Sequence, residues 1–192
     1  MTGPASMTPL AWLAAWDLAA FHAVNVDGGP LLDRAARLLS EPAFGIVWGL
    51  ALAFALVVRL GRGAIPGVAS LAAGTAAADF LGARLLRPVF GRVRPCYALP
   101  PGSFRAVLHA ANAGSIPSLH AANLFALATA ATLADRRLGL AAYPVAAAVA
   151  WSRVYGGVHW PGDVVAGALW GSLAAALAWA AAGRLARRAT RS

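Results

Sequence analysis

The chain has 192 residues, 60% apolar and only 12% charged, where an ordinary soluble domain is about 45–50% apolar and about 25% charged. With a mean hydropathy of +0.66, this excludes a soluble globular domain and a disordered chain. The lone Cys96 excludes a disulfide scaffold and a multi-cysteine metal site. Sixteen basic residues, all arginine, stand against seven acidic ones for a net charge of +9. No basic run is interleaved with aromatics on a polar face, so the charge points to a membrane surface or an anionic substrate and away from nucleic acid. Arginine without lysine also fits a GC-rich genome, the default explanation for any arginine outside a motif.

In chain order, residues 10–26 are apolar but interrupted by Asp17, His22 and Asn25. No basic residue precedes Arg34, so a signal-peptide n-region is missing. This segment reads as an interfacial helix with Trp12 and Trp16 at the headgroups, or as a first crossing. Five further segments, 43–60, 64–86, 116–134, 138–151 and 164–183, approach the roughly 20 apolar residues that a crossing needs. The fourth carries Pro144, and the second carries Asp79 and Arg84, which a bundle can shelter on inward faces. Small residues recur at Gly45/Gly49, Gly63/Gly67 and Gly167/Gly171, a spacing suited to close helix packing. The expectation is an all-α, polytopic bundle of five or six membrane helices. It forms a single domain over 1–192, with an N-terminal region to residue 42 and a basic cytoplasmic tail at 184–192.

Connections are short except 96–115, a Pro/Gly-containing loop of the kind that is usually functional. Its Phe104, Val107 and Leu108 suit a cover touching a lipid headgroup or tail. Arg59, Arg62, Arg136, Arg137, Arg184, Arg187, Arg188 and Arg191 fall on one side of the alternating crossings, and the other eight arginines fall opposite. Setting aside Arg87, Arg94 and Arg153, which belong to the clusters below, the tail side is cytoplasmic by the positive-inside rule.

Three clusters share the outward side. They are Arg87-x6-Arg94-Pro95 after the second crossing, Pro117-Ser118-Leu119-His120 before the third, and Ser152-Arg153-x5-His159-x3-Asp163 between the fourth and fifth. Arginine forks suit phosphate oxygens, and a serine at a helix start adds donors for an anion. A histidine oriented by a carboxylate four residues on can attack, while a second histidine protonates a leaving oxygen. Such a set suggests metal-free phosphoryl transfer through a phosphohistidine.

In order, spacing and topology these clusters resemble the K-x6-R-P, P-S-G-H and S-R-x5-H-x3-D signature of the type 2 phosphatidic acid phosphatase (PAP2) superfamily. The resemblance covers residues 87–163. It implies His159 as nucleophile, Asp163 as its orienting partner and His120 as acid. Arg87, Arg94, Ser118 and Arg153 would hold the phosphoryl oxygens, with no metal and no cofactor. Two positions depart from the signature. Arg87 stands where the family has lysine, and Leu119 where it has the glycine that lets backbone approach a phosphate.

Around this set, Ser118 reads as a simple helix cap as well as a phosphate donor, and Arg92 as a residue supporting the phosphate contacts from behind or an interfacial headgroup binder. Arg105 reads as a surface residue of the long loop, Asp79 as half of a structural pair, His22 and His109 as spectators, and Trp160 as packing. The resemblance implies a phosphatase of the bacterial cytoplasmic membrane acting on a lipid phosphate or diphosphate of the outer leaflet. Undecaprenyl diphosphate is favoured; lipid A 1-phosphate, phosphatidylglycerol phosphate and phosphatidic acid are the alternatives. Transfer to an acceptor other than water, or a non-catalytic lipid-binding or transport role, are the rival readings. The oligomeric state is left open.

Overall fold

A computed structural model describes residues 9–189. Of the N-terminal region residues 1–8, and of the basic tail residues 190–192, lie outside the described residues. Every regular element among the described residues is helical. They are α1 (Pro9–Val24), α2 (Gly29–Ser40), α3 (Pro42–Leu60), α4 (Ile65–Leu81), the short α5 (Arg87–Phe90) and α6 (Pro95–Ala98), α7 (Leu119–Ala134), α8 (Arg136–Tyr155) and α9 (Pro161–Ala189). A π-helical turn at Gly82–Leu86 carries α4 directly into α5.

Helices α3, α4, α7, α8 and α9 run alternately up and down one bundle. Prolines at the first turns of α3 and α4 suit helix starts, where the missing N–H has no intrahelical partner. At one end, Asp135 caps α8 by accepting from the Arg137 and Leu138 amides at 3.0 and 3.3 Å. Its other oxygen accepts from Arg59 Nε at 2.7 Å, so the end of α3 meets the α7–α8 turn. The opposite end carries all three sequence clusters. Both α1 and α2 lie at that end: Asp17 and Phe21 of α1 contact Gly162 and Trp160, and Ser40 at the end of α2 contacts Ser152.

The core is built largely of alanine, with α7 at its centre and eight of its residues buried. Small side chains let backbones approach, and α9 uses this against α7. A Cβ on Gly167 or Gly171 would collide with backbone of Ser118 or Ala122. The outer faces are the reverse. Ile46, Val47, Leu50, Phe54 and Val58 of α3, and Leu169, Leu173 and Leu177 of α9, are exposed. The stretches Pro42–Ala98 and Pro161–Arg184 are long and apolar enough to cross a membrane. Apolar surface of this extent belongs against lipid, and the chain is a membrane protein.

The tight α7–α9 contact sets a test. Gly171→Ala should lower the melting temperature of the detergent-purified protein by several degrees, an over-packing loss of about 1–3 kcal/mol. Gly63→Ala, whose Cβ would come only into ordinary contact with Leu60 at 3.9 Å, should leave it unchanged.

Candidate active site

The site is assembled where helices begin and end. Ser118 occupies the cap position of α7, and its N–H donates to the Asp163 carbonyl at 2.9 Å, joining the start of α7 to the first turn of α9. At the end of α8 the chain reverses through Gly156 and Gly157, and the Arg153 carbonyl accepts from the amides of Val158 and His159, both at 3.2 Å. Gly157 has φ +82, and a Cβ there would lie 2.5 Å from the Arg105 carbonyl oxygen. Only glycine makes this turn, and the turn delivers His159 into the interior.

His159 is 1% exposed. Its Nδ1 lies 3.3 Å from Asp163 Oδ2 and its Nε2 lies 2.9 Å from Arg94 Nη1. A guanidinium has only donors, so Nε2 accepts, the ring proton sits on Nδ1, and that proton faces the carboxylate. The arrangement leaves the basic lone pair at Nε2, where the arginines converge. Asp163 is fully buried and also accepts from the Trp160 amide at 2.9 Å, from Arg92 Nη1 at 3.0 Å and from Ser115 Oγ. Accepting the Trp160 amide from the first turn of α9 is the back-reaching half of a capping box.

His120 sits in the first turn of α7. Its Nε2 is 3.0 Å from the Ser40 carbonyl; a carbonyl only accepts, so Nε2 carries the proton and Nδ1 is left with the lone pair. Arg87 donates from Nε to the Pro117 carbonyl at 3.4 Å. His120, Arg87, Arg94, Arg153 and His159 all line one cavity of about 950 Å³. Buried among them, Arg94 Nε, Arg153 Nε and Ser118 Oγ have no hydrogen-bond partner among the described residues. Three buried donors without acceptors, beside arginines that form no ion pair among the described residues, are suited to an anion. No group of three or more His, Cys, Asp or Glu side chains able to hold a metal occurs among the described residues.

The structure thus brings together His159, Asp163, His120, Arg87, Arg94, Arg153 and Ser118. Ser118 stands at the cap position without a side-chain cap bond, so its hydroxyl is unspent. Leu119 is accommodated by a glycine elsewhere: a Cβ on Gly82 of the π turn would lie 2.7 Å from Leu119 Cδ2.

Arg92 stands behind the residues that line the cavity. It is clamped between two carboxylates, Asp163 on one side and Asp17 of α1 on the other, and rests over the Trp160 ring at 5.2 Å. Asp17 also accepts from the Gly162 amide at 2.7 Å. Arg92 is therefore a brace for Asp163. Neither Asp17 nor Ser115 was singled out for the site from sequence. Asp17 lies 145 residues from Gly162, and its one local signal is an acidic residue inside an apolar helix.

The long loop differs from expectation. Arg105 is a fastening: it donates to Asp33 at 3.1 Å, to Tyr155 Oη at 3.2 Å and to the Val26 carbonyl at 2.9 Å, while Asn25 pairs with its backbone. Val107 is buried against Ala36 and Tyr155, and Phe104 packs with Phe21 and Trp160. The loop is bolted to α1, α2 and α8, and only His109 and Ala110 of it reach the cavity. Asp79 pairs with a polar neighbour as expected, accepting from Asn123 Nδ2 at 2.9 Å.

Residues 67–187 match the PAP2 superfamily. A lipid A 4'-phosphatase of Bacteroides thetaiotaomicron is 36% identical over 99 residues, 49% of this chain and 44% of that protein. The chain thus matches less than half the length of this curated relative. The crystal structure of Aquifex aeolicus LpxE has a similar fold, with a TM-score of 0.68 at 23% identity over 84% of this chain and 93% of that one. So has a transmembrane PAP2-type phosphatidylglycerolphosphate phosphatase from Bacillus subtilis, with a TM-score of 0.63 at 20% identity over 87% of this chain and 84% of that one.

Burial pushes the His159 imidazole down to about 3, against the opposing pull of the Asp163 hydrogen bond. A lowered value means that the folded state refuses a proton which the unfolded chain accepts below about pH 6.5. The folding contribution of His159 is therefore complete above that pH and falls away as pH drops toward 3. Histidine-selective ¹⁵N NMR should show His159 neutral, with the proton on Nδ1, at pH 5. An imidazolium signal that disappears in His159→Gln at that pH would contradict the buried geometry.

Proposed function

Because the chain belongs to the PAP2 superfamily, we propose that it is a membrane lipid phosphatase working through a phosphohistidine. The observation that carries this reading is the set of three orphaned donors, Arg94 Nε, Arg153 Nε and Ser118 Oγ, around an imidazole whose Nδ1 faces a buried carboxylate. A phosphoryl group placed between the arginines takes up those donors and presents phosphorus to His159 Nε2. Attack forms the N–P bond as the P–O bond to the lipid breaks, and His120, charged by a second proton on Nδ1 while its Nε2–H stays on the Ser40 carbonyl, gives that Nδ1 proton to the leaving oxygen. Asp163, braced by Arg92, stabilises the positive ring. Water then attacks phosphorus, the N–P bond breaks, and inorganic phosphate leaves. Stabilising charge on the equatorial oxygens comes from Arg87, Arg94 and Arg153.

On this reading residues 1–192 are one membrane-embedded domain of the bacterial cytoplasmic membrane. Helices α3, α4, α7, α8 and α9 make five crossings. The middle of α1 touches Gly162, and Asn25 just beyond its end touches Arg105 and Tyr155, all at the site end, which supports an interfacial α1. The arginine distribution supports a site facing the exterior. The substrate is a lipid phosphate or diphosphate, its headgroup at the arginines and its tail in the apolar part of the cavity. Undecaprenyl diphosphate is one member of that class. Lipid A and phosphatidylglycerolphosphate, named for the relatives, and phosphatidic acid are further members.

Phosphate release by purified protein from a panel of these lipids tests the reading, and its persistence in EDTA tests metal independence. His159→Ala should lose nearly all turnover while still binding substrate, and Asp163→Asn should lose less. Full activity in His159→Ala overturns the proposal, and binding without release by the wild type favours a lipid-binding role.

Arg87 gives a separate test. Arg87→Lys restores the family residue and should keep substantial activity. Arg87→Ala removes a charge-assisted contact of about 2–5 kcal/mol and should not. Wild-type turnover in Arg87→Ala would place it outside the site.

A further inference from the structure

The cavity that holds the arginines does not end with them. It continues between α3, α4 and α7 along Leu50, Ala53, Val68, Leu71 and Leu127, an apolar trough suited to a lipid tail. Three polar side chains, Thr75, Asp79 and Asn123, interrupt that trough. Asp79 of α4 is exposed on its wall beside Asn123 of α7, which donates to Asp79 Oδ1 at 2.9 Å. Asn123 is three residues beyond His120, about 4.5 Å deeper along α7. Asp79 is eight residues before Arg87, on the other side of the π turn, and its charge acts on the Arg87 guanidinium.

The second oxygen of Asp79 has no hydrogen-bond partner, and the side chain forms no ion pair, among the described residues. A tie between α4 and α7 uses only the oxygen bound to Asn123. It leaves a second carboxylate oxygen facing a largely apolar trough, and an ionisable group in a membrane protein's lipid-facing cavity marks function.

We propose that Asp79, oriented by Asn123, accepts a hydrogen bond from the backbone of the lipid substrate, from a hydroxyl or amide N–H a few bonds from phosphorus. This rests on the reading of the site as a lipid phosphatase. A carboxylate only accepts, so the matching group is a donor. A second phosphate at this depth meets like charge, and a prenyl chain desolvates the carboxylate and offers it nothing in return. The substrate class is therefore a lipid phosphate on a glycerol or sugar backbone with a free donor, in place of the polyprenyl diphosphate favoured by sequence.

The test compares phosphate release from 1-acylglycerol 3-phosphate, from its 2-deoxy analogue of equal chain length, and from farnesyl phosphate, all in detergent micelles. Wild type should turn over the hydroxyl-bearing lipid with a kcat/KM at least about tenfold above the deoxy analogue, as expected of a site built to bind a hydroxyl. Asp79→Ala should lower kcat/KM on the hydroxyl lipid about 10–100-fold and leave the deoxy lipid and farnesyl phosphate unchanged or improved. That retained turnover also shows the variant to be folded. Equal wild-type rates on the matched pair, or an equal loss on all three lipids in Asp79→Ala, would overturn the proposal. The wild-type comparison decides by itself if the variant does not fold. Release from none of the three lipids by wild type would instead overturn the phosphatase reading and this proposal with it.

Discussion

One buried carboxylate holds the working end of this protein together. Asp163 has no exposed surface, and an unpartnered charge in that position would be untenable. Its oxygens are met by the His159 ring, the Trp160 amide, the Ser115 hydroxyl and the Arg92 guanidinium, while its own carbonyl receives the Ser118 amide. Those donors come from the α8–α9 turn, the long loop, the segment after α5 and the start of α7. Because Arg92 is held from its other side by Asp17, α1 joins the same network. The His159 tautomer is a product of this arrangement, since a ring between a carboxylate and a guanidinium has one sensible place for its proton.

The arginines divide into two populations by their partners. Arg59, Arg92 and Arg105 each meet a carboxylate and act as fasteners between distant segments. Arg87, Arg94 and Arg153 meet none among the described residues, yet they converge on one cavity. Like charges gathered without counterions raise the local potential for an anion. The same residue type thus builds the frame and charges the site, and only three-dimensional context separates the two uses.

That division explains what the linear sequence revealed. His159, Asp163, His120, Arg94 and Arg153 were legible because they sit at fixed offsets from helix ends, and alternating helices bring those ends to one face. Gly167 and Gly171 were legible as a packing stripe for a similar local reason. Asp17 and Ser115 were not, because their partners are remote in sequence and no periodicity relates them. Arg105 and Phe104 were misjudged for the opposite reason. A long Pro/Gly loop looks free in one dimension, but Asn25, Asp33 and Tyr155 lie close enough to bind it down. Helix α2 is half apolar but only 12 residues long, too short for a crossing, and only Ala36 and Ser40 of it are buried.

The packing of α3 is unlike that of the helices beside it. Of its 19 residues, only Leu52 and Leu56 are buried, whereas α7 is buried along half its length. A change on α7 is felt by the whole bundle, while most changes on α3 meet lipid and alter little of the folding energy. Yet α3 forms one wall of the trough. The chain therefore confines its chemistry to helices that tolerate few substitutions and leaves a boundary of its lipid channel to one that tolerates many. Evolution can retune the width and texture of that wall at almost no risk to the fold or to the phosphate-binding end.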